Sequence, residues 1–120
     1  LIGSVWRGTA RRGSDIDIEV FSENSDLVIK ELRKEGVNII NVERITTAKH
    51  NLVEESTHVH LNLNSGDKAE IIIRSLDEMD KERICEIYGD SIKGLGIEEL
   101  RRVLREDPLR RFVPRRKVKI

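Results

Sequence analysis

The stretch that most constrains the fold is SDIDIEVF, residues 14–21, in which apolar and polar side chains alternate strictly. A period of two predicts a β-strand with one buried face and one polar face. Asp15 and Asp17 would then lie close together on the polar face. Two neighbouring carboxylates repel each other, and in a partly dry site one of them would hold a proton. A cation between them removes this conflict, so the strand also predicts a cation site.

A helix and a second strand are predicted next. The segment 22–36 has a helical pattern, with Asn24 or Ser25 as N-cap and Gly36 as the stop. The residues predicted to face the core are Leu27, Val28 and Leu32. The segment 37–46, VNIINVERIT, predicts the second strand.

The remaining elements complete an α/β (α+β) fold, a small mixed β-sheet flanked by helices. Segments 58–64 and 68–75 predict a hairpin around the turn Ser-Gly-Asp, and its inward residues would be Val59, Leu61 and Leu63. A helical period then predicts one helix over 76–89 and another over 97–107, ending before Pro108. Segment 1–76 would form the functional core of one domain, 77–109 its C-terminal helices, and 110–120 a basic tail.

Composition narrows the class of protein. The 120 residues suit a single domain, and 22 Lys and Arg balance 22 Asp and Glu, so no global charge favours a polyanionic partner. The single cysteine, Cys85, indicates a reduced, cytoplasmic setting, and no segment resembles a membrane span or signal peptide. The 37% of charged residues and the absence of Gln are typical of a thermophile. The strand-like start at Leu1 predicts a further upstream segment.

A third acid, Glu70, stands in the apolar strand KAEIIIRS. An isolated acid among aliphatic residues usually has a partner. If this strand lies beside 15–20, Glu70 completes an oxygen-rich site with Asp15 and Asp17. Two Mg²⁺ ions in such a site activate an attacking hydroxyl and neutralise a leaving oxygen. The alternative is a structural glutamate paired with Arg74 or Lys68.

The other half of the predicted site is GSVWRGT, residues 3–9. Gly3 permits close approach of a phosphate to the backbone, and Ser4 offers a hydroxyl and an amide as donors. Arg7 adds a cation that would offset phosphate charge. An ordinary turn is the alternative for this stretch taken alone.

These motifs together resemble the nucleotidyltransferase superfamily of DNA polymerase β. Its pattern is hydrophobic-Gly-Ser, then acid-hydrophobic-acid-hydrophobic, then hydrophobic-acid-hydrophobic, matched here by residues 2–4, 15–18 and 69–71. The stretch is especially similar to minimal nucleotidyltransferases and to the head domain of archaeal CCA-adding enzymes. The third acid is commonly Asp in this family and is Glu in this sequence.

The resemblance implies a Mg²⁺-dependent enzyme that transfers a nucleoside monophosphate from an NTP to a hydroxyl. It implies two Mg²⁺ ions, replaceable by Mn²⁺, on Asp15, Asp17 and Glu70, and the triphosphate at Gly3 and Ser4. The acceptor stays open among a protein side chain, an RNA 3′ end and a small molecule. The short chain favours an antitoxin-type enzyme that modifies a helical HEPN-type partner protein.

Other interpretations use the same residues differently. The fold can be catalytically degenerate and bind a nucleotide or a partner, or the basic tail can bind nucleic acid. His58 and His60 share a strand face without a third ligand at metal spacing, so packed or solvent-facing histidines are favoured. Trp6 is predicted to pack the short helix that begins within residues 5–10 onto the sheet. Cys85 is predicted to lie on the inward side of a helix as a small buried hydrophobic residue.

Overall fold

The computed structural model describes residues 1–49 and 51–114, so part of the predicted tail, 115–120, lies outside the described residues. The elements in chain order are α1 (Gly3–Arg7), β1 (Ile16–Phe21), α2 (Ser25–Lys34), β2 (Asn38–Lys49), β3 (Leu52–Asn62), β4 (Lys68–Arg74), a 3-10 turn (Leu76–Glu78) and α3 (Ile97–Glu106).

The four strands form one mixed sheet in the order β1-β4-β3-β2. β1 and β4 are parallel, and the pairs β3-β4 and β2-β3 are antiparallel. The chain leaves β1 through α2, enters at the far edge and returns by two hairpins to lie beside β1. The predicted α+β class is confirmed.

The core lies between α2 and one face of the sheet. Its buried members are Ile29, Val59, Leu61, Ala69, Ile71 and Ile73. Val59 and Leu61 are therefore core residues as predicted, and Leu63 packs against the cluster. Burying aliphatic side chains of this size contributes roughly 1.5–3 kcal/mol each.

One predicted core residue of α2 is wrong. Asn24 caps the helix, since its side chain accepts the amide of Leu27, and Val28 and Leu32 pack against the core. Leu27 itself is 51% exposed, and Ile29 is buried in its place. The spacing of Val28, Ile29 and Leu32 forms one apolar stripe, which leaves Leu27 at its margin.

β2 and β3 are longer than predicted. They pair from Asn38 opposite Asn62 to Lys49 opposite Leu52, whereas β3 pairs with β4 only from Ser56 onward. The two strands therefore continue beyond the sheet as a two-stranded hairpin. Asn51 has a φ of 65° in the connecting turn, a left-handed conformation that asparagine tolerates better than most residues.

The predicted helix over 76–89 is wrong. Only Leu76–Glu78 forms a 3-10 turn, followed by irregular chain with a bridge between Ile84 and Ser91. Backbone bonds across this bridge replace helical ones: the Cys85 amide donates to Asp90 O over 2.8 Å and that of Ile92 to Arg83 O over 2.7 Å. Tertiary contacts of Arg83 and Asp90, described below, hold the segment in this form.

The last predicted helix is confirmed as α3, which begins after Gly96 and ends before Pro108. Cys85 lies half-buried in the irregular segment and not on a helix. The amide of Tyr88 donates to its sulfur, which lowers the pKa of the thiol. No helix in the described part of the chain combines the length and apolar character that crossing a bilayer requires.

Candidate functional site

The pairing of β1 with β4 brings two of the predicted acids together. Asp17 is directly opposite Glu70 in the parallel register. Residues opposite each other in adjacent strands share a sheet face, and here it is the face away from α2. Asp15, two residues before Asp17, immediately precedes β1. Its charge acts on Asp17, so the three acids lie near the ends at which β1 and β4 begin. We call the sheet face that carries Asp17 and Glu70 the acidic face.

The Gly-Ser turn lies against Asp17. The amide of Ile2 donates to the Asp17 carbonyl over 2.9 Å, and α1 begins at the next residue. Gly3 has a φ of 76°, and a Cβ on it would lie 2.5 Å from Asp17 Oδ2. Only glycine fits this position without displacing the carboxylate. Ser4, in the first turn of α1, is half-buried.

The surroundings of Asp17 shift its pKa. Burial raises the pKa of the Asp17 carboxyl, and the charges of Glu70 and Asp15 raise it further. No hydrogen bond to the Asp17 side chain is formed within the described residues. The site therefore concentrates negative charge without a protein cation beside Asp17, a condition that a bound cation would relieve.

Glu70 has a protein partner that the sequence did not predict. His58 Nδ1 and Glu70 Oε1 form a short hydrogen bond, and His58 Nε2 lies 2.9 Å from Ser56 Oγ. β4 is an interior strand, and neither Arg74 nor Lys68 pairs with Glu70 in the described chain, so the predicted alternative partners are wrong. The period of two in β3 placed His58 on this face, but strand spacing alone could not identify its partner.

A second ion cluster lies farther along the same face. Glu19 has a side chain only 7% exposed and binds Arg74 Nε over 2.7 Å and also Arg83. Burial opposes ionisation of Glu19, but its bonds to Arg83 and Arg74 outweigh this, so its pKa is lowered. This network ties the segment after β4 to β1. It was not predicted, because Arg83 approaches only when 76–89 is not helical.

Arg7 is buried away from the acids. Only 4% of Arg7 is exposed. Its guanidinium donates to both carboxylate oxygens of Asp90, over 2.6 and 3.0 Å, and also to the carbonyl oxygen of Phe112. The ring planes of Trp6 and Tyr88 complete its surroundings. These contacts hold α1 to the C-terminal segments. They use the donors that the predicted phosphate contact of Arg7 requires and so do not support that contact.

Trp6 also joins these segments. Its ring is buried and stacks on Phe112 with centroids 6.0 Å apart. Trp6 therefore packs α1 against Phe112, a contact that the sequence did not predict. Residues 110–114 of the predicted tail are thus part of the packed structure.

The donor set suits a hard divalent cation. Asp15, Asp17 and Glu70 offer carboxylate oxygens, which Mg²⁺ prefers, and burial together with the charges of Glu70 and Asp15 raises the pKa of Asp17. In the described ranges, however, no three His, Cys, Asp or Glu side chains converge in ligating geometry. One oxygen of Glu70, Oε1, is bound to His58. The residues fit the ion by chemistry and by backbone placement.

Comparison with known proteins gives a family for the chain. A family model described as a nucleotidyltransferase domain matches residues 1–82, about two-thirds of the chain. The match spans the Gly-Ser turn, β1 and β4. Neither the curated proteins nor the solved structures compared with the chain give a significant match. The matched segment contains Asp15, Asp17 and Glu70, and the chain belongs to the nucleotidyltransferase domain family.

Proposed function

We propose that the protein transfers a nucleoside monophosphate from an NTP to a hydroxyl acceptor and releases pyrophosphate. The observation that carries this proposal is the placement of Asp17 opposite Glu70 with Gly3 packed against the Asp17 carboxylate. Acids beside a turn that only glycine can form suit a triphosphate and its cations.

The residues of the acidic face have distinct roles in this proposal. Asp15, Asp17 and Glu70 would hold divalent cations, which supply charge neutralisation on the reacting phosphate when bound. The backbone at Gly3 and the Ser4 hydroxyl would hold and orient the triphosphate. A carboxylate oxygen of Glu70 takes the proton that the attacking hydroxyl loses. The acceptor oxygen bonds to the α-phosphorus as the bond to the pyrophosphate oxygen breaks.

The test incubates the protein with an α-labelled NTP and Mg²⁺ or Mn²⁺. It follows transfer of the labelled nucleoside monophosphate and measures the release of pyrophosphate. Asp15→Asn and Asp17→Asn should each lower transfer by 100-fold or more (roughly 3 kcal/mol), since this chemistry is mainly positioning and electrostatic stabilisation. Glu31→Gln, an exposed acid on α2, is the matched control and should transfer normally. Near-normal transfer by Asp17→Asn overturns the proposal.

The acceptor is the finer part of this proposal. We place it on a protein partner of the helical HEPN type, which makes the enzyme antitoxin-like. Intact-mass measurement of co-purified proteins should show the added mass of one or more nucleotides on that partner. Label appearing instead on RNA 3′ ends would assign an RNA 3′-end nucleotidyltransferase.

A catalytically degenerate module is the second candidate. It is favoured by the lack of a converged three-ligand cluster among residues 1–49 and 51–114. A degenerate protein would bind ATP with Mn²⁺ and release no pyrophosphate with any acceptor tried. The same assay therefore separates a binding module from an enzyme.

A further inference from the structure

The contact between Glu70 and His58 is the strongest feature of the acidic face that the proposed function does not use. Both side chains are largely buried, with 21% of Glu70 and 15% of His58 exposed. Nδ1 of His58 contacts Oε1 of Glu70, and Nε2 lies 2.9 Å from Ser56 Oγ. Ser56, His58 and Glu70 thus form a continuous hydrogen-bonded chain from β3 to β4.

The contact is selective for one of two histidines. His60 is directly opposite Glu70 in the β3-β4 register, and His58 is diagonal to it, opposite Ile72. His58 nevertheless makes the bond, while the nearest acid to His60 is Glu43, 3.8 Å from its Nε2. Register alone would pair Glu70 with His60, so side-chain orientation distinguishes His58.

The chemistry of the chain fixes one oxygen of Glu70. A neutral imidazole with its proton on Nδ1 donates to Oε1 and accepts the Ser56 hydroxyl at Nε2. Glu70 Oε2 has no hydrogen-bond partner among the described residues. Glutamate has one more rotatable bond than aspartate, and a donor at Oε1 restricts that freedom while leaving Oε2 for another ligand.

We propose that His58, itself held by Ser56, is a positioning residue that orients the Glu70 carboxylate toward the cation site shared with Asp17. This inference rests on the proposed function, because it assigns Glu70 a ligand role. A partner of this kind, bound to the ligand and not to the ion, commonly tunes metal affinity. His58 thereby acts on the nucleotide-bound cation without contacting it.

The test measures the affinity of the full chain for Mn²⁺ by the electron paramagnetic resonance signal of the free ion. ATP is present and no acceptor is added. His58→Ala and His58→Gln should weaken Mn²⁺ binding by about tenfold or more. His58→Asn should stay within about threefold of wild type, because its amide can replace the Nδ1 donor, whereas the Gln amide lies nearer the Nε2 position. His60→Asn is the matched control on the same strand face and should bind Mn²⁺ normally.

Each outcome decides the proposal. Wild-type affinity in folded His58→Ala overturns it, and so does an equal loss in the folded Asn and Gln variants. If His58→Ala fails to fold, the comparison of Asn with Gln decides. Wild-type protein that binds no Mn²⁺ would overturn the proposed function and this inference together. If the protein binds Mn²⁺ and its affinity is the same in wild type and in the folded His58 variants, this inference alone is overturned.

Discussion

Asp17 is the residue on which the acidic face depends most. Burial raises its pKa, and the neighbouring charges of Glu70 and Asp15 raise it further. The folded protein therefore holds this proton more tightly than the unfolded chain, whose aspartate pKa is about 3.9. The stability that Asp17 contributes is fully present below that pH and is lost as pH rises through the raised folded pKa. Above this window the ionised carboxylate opposes folding.

We predict that Asp17→Asn stabilises the metal-free protein. At about pH 7 with a chelator, its thermal midpoint should rise by a few degrees, about 0.5–1 kcal/mol after allowance for solvent screening. The gain should shrink toward about pH 3, where the wild-type residue is protonated in both states. Thermal unfolding followed by circular dichroism measures both. A lower midpoint for Asp17→Asn at neutral pH would contradict the assigned charge repulsion.

Arg7 differs from Asp17 because its charge is paired within the protein. Its two bonds hold the pKa of Asp90 below the usual aspartate value, and burial opposes this only in part. The stability from this pair is present above the unfolded aspartate pKa and is lost as pH falls through the lowered folded pKa. We therefore expect Arg7 to contribute to folding and not to phosphate binding.

We predict that Arg7→Met lowers the thermal midpoint by several degrees, because Asp90 and Phe112 O lose their donors. Arg7→Met combined with Asp90→Leu should recover part of the loss, since it removes the unpaired carboxylate. The nucleotide dissociation constant of the folded single variant should change less than about threefold, within the range of an indirect effect. A large loss of nucleotide affinity with no loss of stability would restore the phosphate role of Arg7.

At the scale of elements, the turn into α1 and the pairing of β1 with β4 determine the site. Gly3 and Gly36 have nearly equal φ values of 76° and 77°, but only Gly3 has a side chain within reach of an added Cβ. Gly36 therefore reports backbone strain alone. The pair allows strain at Gly3 to be separated from displacement of Asp17.

We predict that Gly3→Ala and Gly36→Ala both destabilise the protein, by about 1–2 kcal/mol from the left-handed backbone. Gly3→Ala should in addition weaken binding of Mn²⁺ and ATP by tenfold or more, because its Cβ would collide with Asp17 Oδ2. Gly36→Ala should bind both normally. Equal binding by the two variants would show that the turn does not shape the site.

The elements also show how far sequence reasoning reaches. β1, α2, β4 and α3 follow from alternation, capping and helical period, and those signals are local. The prediction of a helix over 76–89 was wrong because the conformation of this segment depends on distant contacts. These are the contacts of Arg83 with Glu19 and of Asp90 with Arg7. Local periodicity cannot report such pairs.

In the site, too, some features follow from local sequence signals and others depend on distant contacts. Asp17 and Glu70 were predicted to meet because a lone acid in an apolar strand needs a neighbour. The bond from His58 to Glu70 was not predicted, because it depends on a diagonal contact between strands. The buried position of Arg7 was also not predicted, since its partners Asp90 and Phe112 lie more than 80 residues away.

At the scale of the molecule, the two faces of the sheet have different uses. One packs on α2 and forms the core, and the other holds the acids, His58 and the Glu19 cluster. The site is therefore built on rigid strands at the end of the sheet where β1 and β4 begin. The hairpin end near Val53 lies seven residues along β3 from His60, about 23 Å from the acids.

The central claim is that a divalent cation and its nucleotide bind at Asp15, Asp17 and Glu70. The most direct test is paramagnetic broadening of backbone amide signals by Mn²⁺ with ATP. The account predicts the strongest broadening at residues 2–4, 15–18 and 69–71, with sharp signals at 46–49 and 51–54. Broadening centred outside these three segments instead, or the same pattern in Asp17→Asn, would contradict it.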